Sequence, residues 1–236
     1  MNLSGKTLLV TGAAGGLGKS LVEEAMAQNA HKIYCCARNT APLEELQGKY
    51  PGIVLCTLDI TDTAQLKKLS SSLETIDILI NNAGVNSGMR IFDDSRIDFD
   101  VNLFGTLNVC RELRHRIAPG GAIINVTSIL ALINLPVMGL YSASKSALHS
   151  ATQAMRAELA LSDIDVYEVL PGPIDTEMSA GQEMEKASPA DVARAIIEGY
   201  RAHTYEIYPD SFATMIKETL AENPAMLESN FAQSVG

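Results

Sequence analysis

The chain has 236 residues, with 18 Lys and Arg against 28 Asp and Glu for a formal charge of −10, and 47% of its side chains are hydrophobic. This length suits one large domain with its own core, or at most two small ones. The acidic balance offers no basic footprint for a phosphate backbone or an anionic bilayer, so neither nucleic acid nor membrane is expected as a partner.

The N-terminal apolar run turns at once into Thr11 and Gly12, unlike a signal or an anchor. Short apolar, β-branched runs then alternate with segments of helical period. Strands are predicted at Thr7–Val10, Lys32–Cys36, Ile53–Leu58, Ile76–Ile80, Ala122–Val126, Val166–Val169 and Glu206–Tyr208. Helices are predicted at Leu17–Gln28, Asp62–Ser71, Val101–Arg116, Ser142–Leu161, Pro189–Tyr200 and Phe212–Ala221, with Ser188 as N-cap ahead of Pro189. The alternation implies a doubly wound parallel α/β sheet of about seven strands. No repeat or linker divides residues 1–236, so one domain is expected.

Two stretches invite other readings. The uncharged segment between Arg116 and Lys145 is interrupted by Asn125, Ser128, Asn134, Pro136 and Gly139, which argues against a membrane span and for a cytoplasmic protein. Cys35, Cys36, Cys56 and Cys110 form no CxxC pair, and the four histidines have no ligand spacing. Reduced thiols and no metal are expected.

The first strand runs into Thr11-Gly-Ala-Ala-Gly-Gly-Leu-Gly18, inside which the next helix begins. A strand-to-helix turn of this kind points free backbone N–H groups and the positive helix end at a pyrophosphate, and glycines let the backbone approach it. Gly12, Gly16 and Gly18 are assigned to that cradle, with Leu17 beside them. A P-loop would need glycine where Ala13 stands, which disfavours an NTPase.

Further along stand Asn81-Asn82-Ala83-Gly84 after the fourth strand, Ser128 thirteen residues before Tyr141, the pair Tyr141 and Lys145 at YxxxK spacing, and Pro171-Gly172. In this order the motifs resemble those of the short-chain dehydrogenases/reductases over residues 4 to about 176. The length and the Ser-to-Tyr spacing point to the short single-domain oxidoreductases rather than the longer epimerase branch. The resemblance implies a Rossmann-like fold and an oxidoreductase using NAD(P) on a carbonyl or secondary alcohol. It also implies a homodimer or homotetramer paired through Val101–Arg116 and Ser142–Leu161, although the stretch between Gly84 and Asn102 is shorter than is usual there.

Tyr141 and Lys145 lie at i and i+4 early in a helix and share a face. A cation near a phenol favours the phenolate and brings proton exchange closer to neutral pH, so Tyr141 is the expected general acid/base. Hydride arriving at a carbonyl carbon builds charge on oxygen, which a fixed donor stabilises. The resemblance gives that donor role to Ser128, gives Lys145 the nicotinamide ribose, and makes Asn102 the holder of a water linking Lys145 to solvent. It further places Asp59 and Ile60 at the adenine, Asn82, Ala83 and Gly84 along the cofactor, and Pro171, Gly172, Ile174 and Thr176 beside the nicotinamide.

The second strand ends in Cys36-Ala37-Arg38-Asn39 with no acid. A carboxylate there binds a ribose 2′-OH, whereas an arginine accommodates a 2′-phosphate, so NADP(H) is expected over NAD(H). The loop of about residues 177–187 is short and predicts an open cleft. Met178 and Met184, with Ile129, Leu130 and Leu132, are its expected apolar surface, and Glu177, Glu183 and Glu185 its acidic rim. These point to a neutral, small to medium substrate. Two rival readings are a catalytically silent NADP(H)-binding regulator and a carbon–carbon double-bond reductase.

Overall fold

Seven apolar runs pair into one parallel sheet in the computed structural model, which describes residues 2–181 and 183–235. They are β1 (Thr7–Thr11), β2 (Lys32–Ala37), β3 (Ile53–Thr57), β4 (Ile76–Asn81), β5 (Ile117–Val126), β6 (Ile164–Val169) and β7 (Glu206–Ile207), in the spatial order β3-β2-β1-β4-β5-β6-β7. Every β1 residue is buried, as a strand covered on both faces requires. The order reverses between β1 and β4, which opens a crevice at the carboxyl ends of the strands.

Helices α1 (Gly16–Ala27), α2 (Glu44–Lys49), α3 (Thr63–Ser72), α4 (Thr106–Leu113), α5 (Gly139–Leu159), α6 (Pro189–Arg201), α7 (Ser211–Glu222) and α8 (Pro224–Ala232) complete the chain. Leu17, Leu21, Leu46, Val192 and Ile196 bring α1, α2 and α6 onto one sheet face. Leu66, Val109, Leu113 and Leu159 bring α3, α4 and α5 onto the other. The Ser188 hydroxyl accepts the Asp191 N–H ahead of Pro189, as the sequence predicts for α6. No helix among the described residues is long and apolar enough to cross a membrane.

Three departures from the sequence reading have local causes. β5 begins at Ile117 rather than Ala122, because the turn-like Pro119-Gly120-Gly121 is absorbed by a register shift opposite Ile76 and Ile78. The helix expected from Val101 opens instead as a π-helical segment, Phe99–Gly105, before α4, and ends in a 3-10 turn at Arg114–Arg116. α8 was not anticipated; Asn223 caps it through the Met226 N–H and Pro224 starts it.

Candidate active site

The crevice is a cavity of about 1270 Å³ running from the ends of β2 and β3, over the glycine loop, to α7 and α8. Gly12, Gly16, Leu17, Gly18, Arg38, Asp59, Ile60, Asn82, Ala83, Gly84, Ser128, Tyr141, Lys145, Pro171, Gly172, Ile174 and Thr176 all line it. Asn102 does not.

The glycine loop is a close-packed cradle. Gly12 has φ +63°, and a Cβ there would meet Ala83 Cα at 2.8 Å. A Cβ on Gly18 would stand 2.1 Å from the Gly12 carbonyl oxygen, and one on Gly16 would stand 2.7 Å from Thr176 Cγ2. Gly15 is different, with only an ordinary 3.5 Å contact, so the loop demands glycine at 12 and 18 but not at 15. No side chain caps α1 and no acid occupies its first turn, which leaves the N–H groups of Gly16, Leu17 and Gly18 directed at the cleft. Such a cradle fits the pyrophosphate of a dinucleotide. Asn82, just beyond β4, staples it, with Nδ2 donating to the Thr11 and Gly12 carbonyls at 3.1 Å each.

Arg38 follows β2, exposed and with no ion pair among the described residues. Asp59 follows β3, where its carboxylate accepts the Thr61 N–H (2.9 Å) and hydroxyl (2.7 Å). It closes a turn, while Asp62 caps α3.

At the other end, β5 delivers Ser128 and the first turns of α5 deliver Tyr141 and Lys145. Ser128 Oγ accepts the Leu130 N–H at 3.1 Å, which orients it and leaves its proton for the cleft. Lys145 is buried, donates from Nζ to the Val126 carbonyl at 3.0 Å, and lies 5.8 Å from the centre of the Tyr141 ring. The expected depression of the phenol by the ammonium is not what this geometry produces. Burial dominates both groups, pushing Tyr141 up to about 12 and Lys145 down to about 8. The neighbouring Ser128 hydroxyl opposes the rise of the phenol, and the charge of buried Glu168 opposes the fall at Lys145.

Asn102 sits in the π-helical segment behind Gly84 and Val85. Its Oδ1 accepts the Val85 N–H at 2.8 Å, and its Nδ2 donates to the Val85 carbonyl and to Ser144 Oγ at 2.9 Å each. The side chain is thus spent on holding the strand end against α5.

The substrate end departs most from the sequence reading. Leu130, Met178, Met184 and Glu177 line the cleft, and Ile129 reaches it from the core. Leu132 packs instead beneath α7 and α8, and Glu183 and Glu185 point to solvent. Phe212, Asn230, Phe231, Gln233 and Ser234 form a further wall that the sequence reading did not include. These residues were missed because α8 carries no motif; its apolar Leu227 and Phe231, packed on Ile129 and Leu130, were the available signal. The loop itself is tied down, with an Asp175-to-Ala187 backbone bond of 2.9 Å and Lys186 Nζ donating to the Ser179 carbonyl at 2.7 Å.

With this geometry in place, the family profile described as short chain dehydrogenase matches residues 6–187. The chain belongs to the short-chain dehydrogenase family. Among solved structures, it is similar to a short chain dehydrogenase from Burkholderia cenocepacia in complex with NADP, with a TM-score of 0.90, 36% identity, and coverage of 98% of this chain and 99% of that one. It is 30% identical over 196 residues to the NADPH-dependent 1-acyldihydroxyacetone phosphate reductase of Saccharomyces cerevisiae, covering 78% of this chain and 66% of the yeast protein. An uncharacterized short-chain type dehydrogenase/reductase of Sinorhizobium fredii is 32% identical over 198 residues, 80% of this chain but 36% of that protein. The chain thus spans about two thirds of the yeast protein's length and about a third of the Sinorhizobium protein's.

Proposed function

We propose that this short-chain dehydrogenase is an NADP(H)-dependent oxidoreductase interconverting a carbonyl and a secondary alcohol, with Tyr141 as general acid/base. The observation carrying this reading is the convergence of Ser128, Tyr141 and Lys145 on one cleft that continues into the glycine cradle. Bound nicotinamide supplies or accepts the hydride. Ser128, oriented by the Leu130 N–H, donates to the substrate oxygen as charge grows there. A phenol held near 12 is protonated at neutral pH and suited to giving its proton to that oxygen in reduction. Lys145 is the candidate partner of the ribose hydroxyls, and the unpaired Arg38 that of the 2′-phosphate. The NADP in the Burkholderia relative and the NADPH in the yeast relative's name support the same choice of cofactor.

The substrate end favours a neutral carbonyl with an apolar substituent. Val85, Ile97, Leu130, Leu135, Met138, Phe212 and Phe231 supply its walls, and Glu177 puts negative charge at its rim. That rim disfavours an anionic substrate such as the 1-acyldihydroxyacetone phosphate in the yeast relative's name. We further read residues 1–236 as one domain whose segments Val101–Arg116 and Ser142–Leu161, which carry the exposed Phe104 and Leu161, pair in a homodimer or homotetramer. Free thiols suit a cytoplasmic setting.

Oxidation of NADPH by a panel of neutral ketones and aldehydes, matched with anionic analogues at two salt concentrations, tests the reading. Turnover of neutral members is expected. NADPH binding without turnover of any carbonyl would point to the silent regulator, and turnover of activated alkenes alone to the double-bond reductase.

A further inference from the structure

Two thiols meet beneath the end of the cleft assigned to the adenosine. Cys36 on β2 and Cys56 on β3 are register partners, and both belong to the apolar layer covered by α3 and α4, so their side chains share one sheet face. Neighbouring strands run about 4.8 Å apart, inside the roughly 4.4–6.8 Å Cα separation that a disulfide spans. β3 is the edge strand, so Cys56 is half-buried and open to solvent while Cys36 is buried behind it.

The two thiols are also chemically unequal. Their mutual proximity lowers the Cys56 thiol from its ordinary value, against the opposing effect of burial, and raises that of the more deeply buried Cys36. The other two cysteines are out of reach: Cys35 lies on the opposite sheet face, and Cys110 is buried on α4, where its sulfur accepts from Asn81 Nδ2. An accessible thiol of lowered pKa beside a second thiol is the arrangement of a peroxide-sensitive pair. Its position gives such a pair something to report on, because Arg38 lies two residues beyond Cys36 and Asp59 three beyond Cys56, both lining the cleft.

We propose that Cys56 is a hydroperoxide-reactive thiol, that Cys36 resolves it to a disulfide, and that this bridge weakens dinucleotide binding at Arg38 and Asp59. The last part rests on the cofactor reading above. In the first step the Cys56 thiolate attacks the peroxide oxygen, the O–O bond breaks, and with one proton the products are Cys56 sulfenic acid and an alcohol, or water from hydrogen peroxide. In the second, the Cys36 sulfur attacks the sulfenic sulfur, the S–S bond forms, and the hydroxyl leaves as water with the Cys36 proton. The two thiols together lose two electrons and the peroxide gains them. The bridge fixes both cysteine side chains in disulfide geometry and so shifts the strand ends that carry Arg38 and Asp59.

The test treats the reduced protein with graded hydrogen peroxide, blocks remaining thiols with N-ethylmaleimide, and reads intact mass and peptide maps. A loss of two hydrogens with a Cys36–Cys56 linked peptide is expected. C36S should stop at a Cys56 sulfenic acid trapped by dimedone, and C56S should leave Cys36 unreacted. The same preparations are titrated with NADPH by its own fluorescence, where the linked form should bind about tenfold more weakly, the equivalent of one charge-assisted hydrogen bond, and recover with dithiothreitol. No link, or a link through Cys35 or Cys110, overturns the thiol assignment. A linked protein with NADPH affinity within twofold of the reduced form overturns the coupling. Failure of the reduced chain to bind NADPH at all, with the link still forming, breaks the cofactor reading and the coupling while the mass data uphold the thiol chemistry.

Discussion

The two ends of the cleft are built from different materials. The end assigned to the dinucleotide is mostly backbone: a glycine turn with no room for side chains, uncapped N–H groups of α1, and an asparagine staple from just beyond β4. The substrate end is mostly side chain, contributed by the turn after β5, the loop around Met178, α7 and α8. Backbone sites tolerate few residue types and so leave motifs. Side-chain walls can be made from many apolar residues and leave almost none.

The sharpest way to break the comparison is at the junction of the two ends. Tyr141→Phe should lower kcat by about 10²–10⁴-fold while NADPH affinity stays within about twofold, since the lost hydroxyl faces substrate and not the cradle. Retention of most of kcat on a confirmed substrate would remove Tyr141 from its role. Within the backbone-built end, Gly18→Ala should cost about 1–3 kcal/mol or more in stability through overpacking and abolish tight cofactor binding. Gly15→Ala should stay within about 1 kcal/mol. Denaturant titration of both variants checks the contrast, and equal effects would mean that the loop is not the close-packed cradle described.

Arg38→Ala should weaken NADPH binding about ten- to hundredfold and leave NADH unchanged, the loss of a charge-assisted contact. Isothermal titration with both cofactors decides it, and an equal loss for the two would make Arg38 a general surface charge. Lys145 gives a pH signature. Its ammonium is intact below about 8 and lost as pH rises through that value, well before the ordinary lysine range. NADPH affinity should therefore fall several-fold, by about 1 kcal/mol, between pH 7 and 9, and this limb should be absent from Lys145→Met. The smallest effect belongs to the side-chain-built end, where Phe231→Ala should raise KM for an apolar ketone by about fivefold with kcat nearly unchanged. A kcat loss without a KM change would place Phe231 outside the substrate wall.

Much of this molecule was written in local sequence. Strand and helix alternation, the Gly12 and Gly18 turn, the Ser188–Pro189 helix start and the spacing of Ser128, Tyr141 and Lys145 all depend on residues close along the chain. Local sterics and helical period therefore determine them. Only the tertiary structure decided that Asn102 clamps Val85 to Ser144, that burial raises the Tyr141 phenol, and that Phe231 stands across the substrate end. It also decided that Cys36 and Cys56, twenty residues apart, share one face. Each of these depends on what packs over a residue from a distant segment, and desolvation, strand pairing and wall-building are properties of that packing rather than of any short stretch of chain.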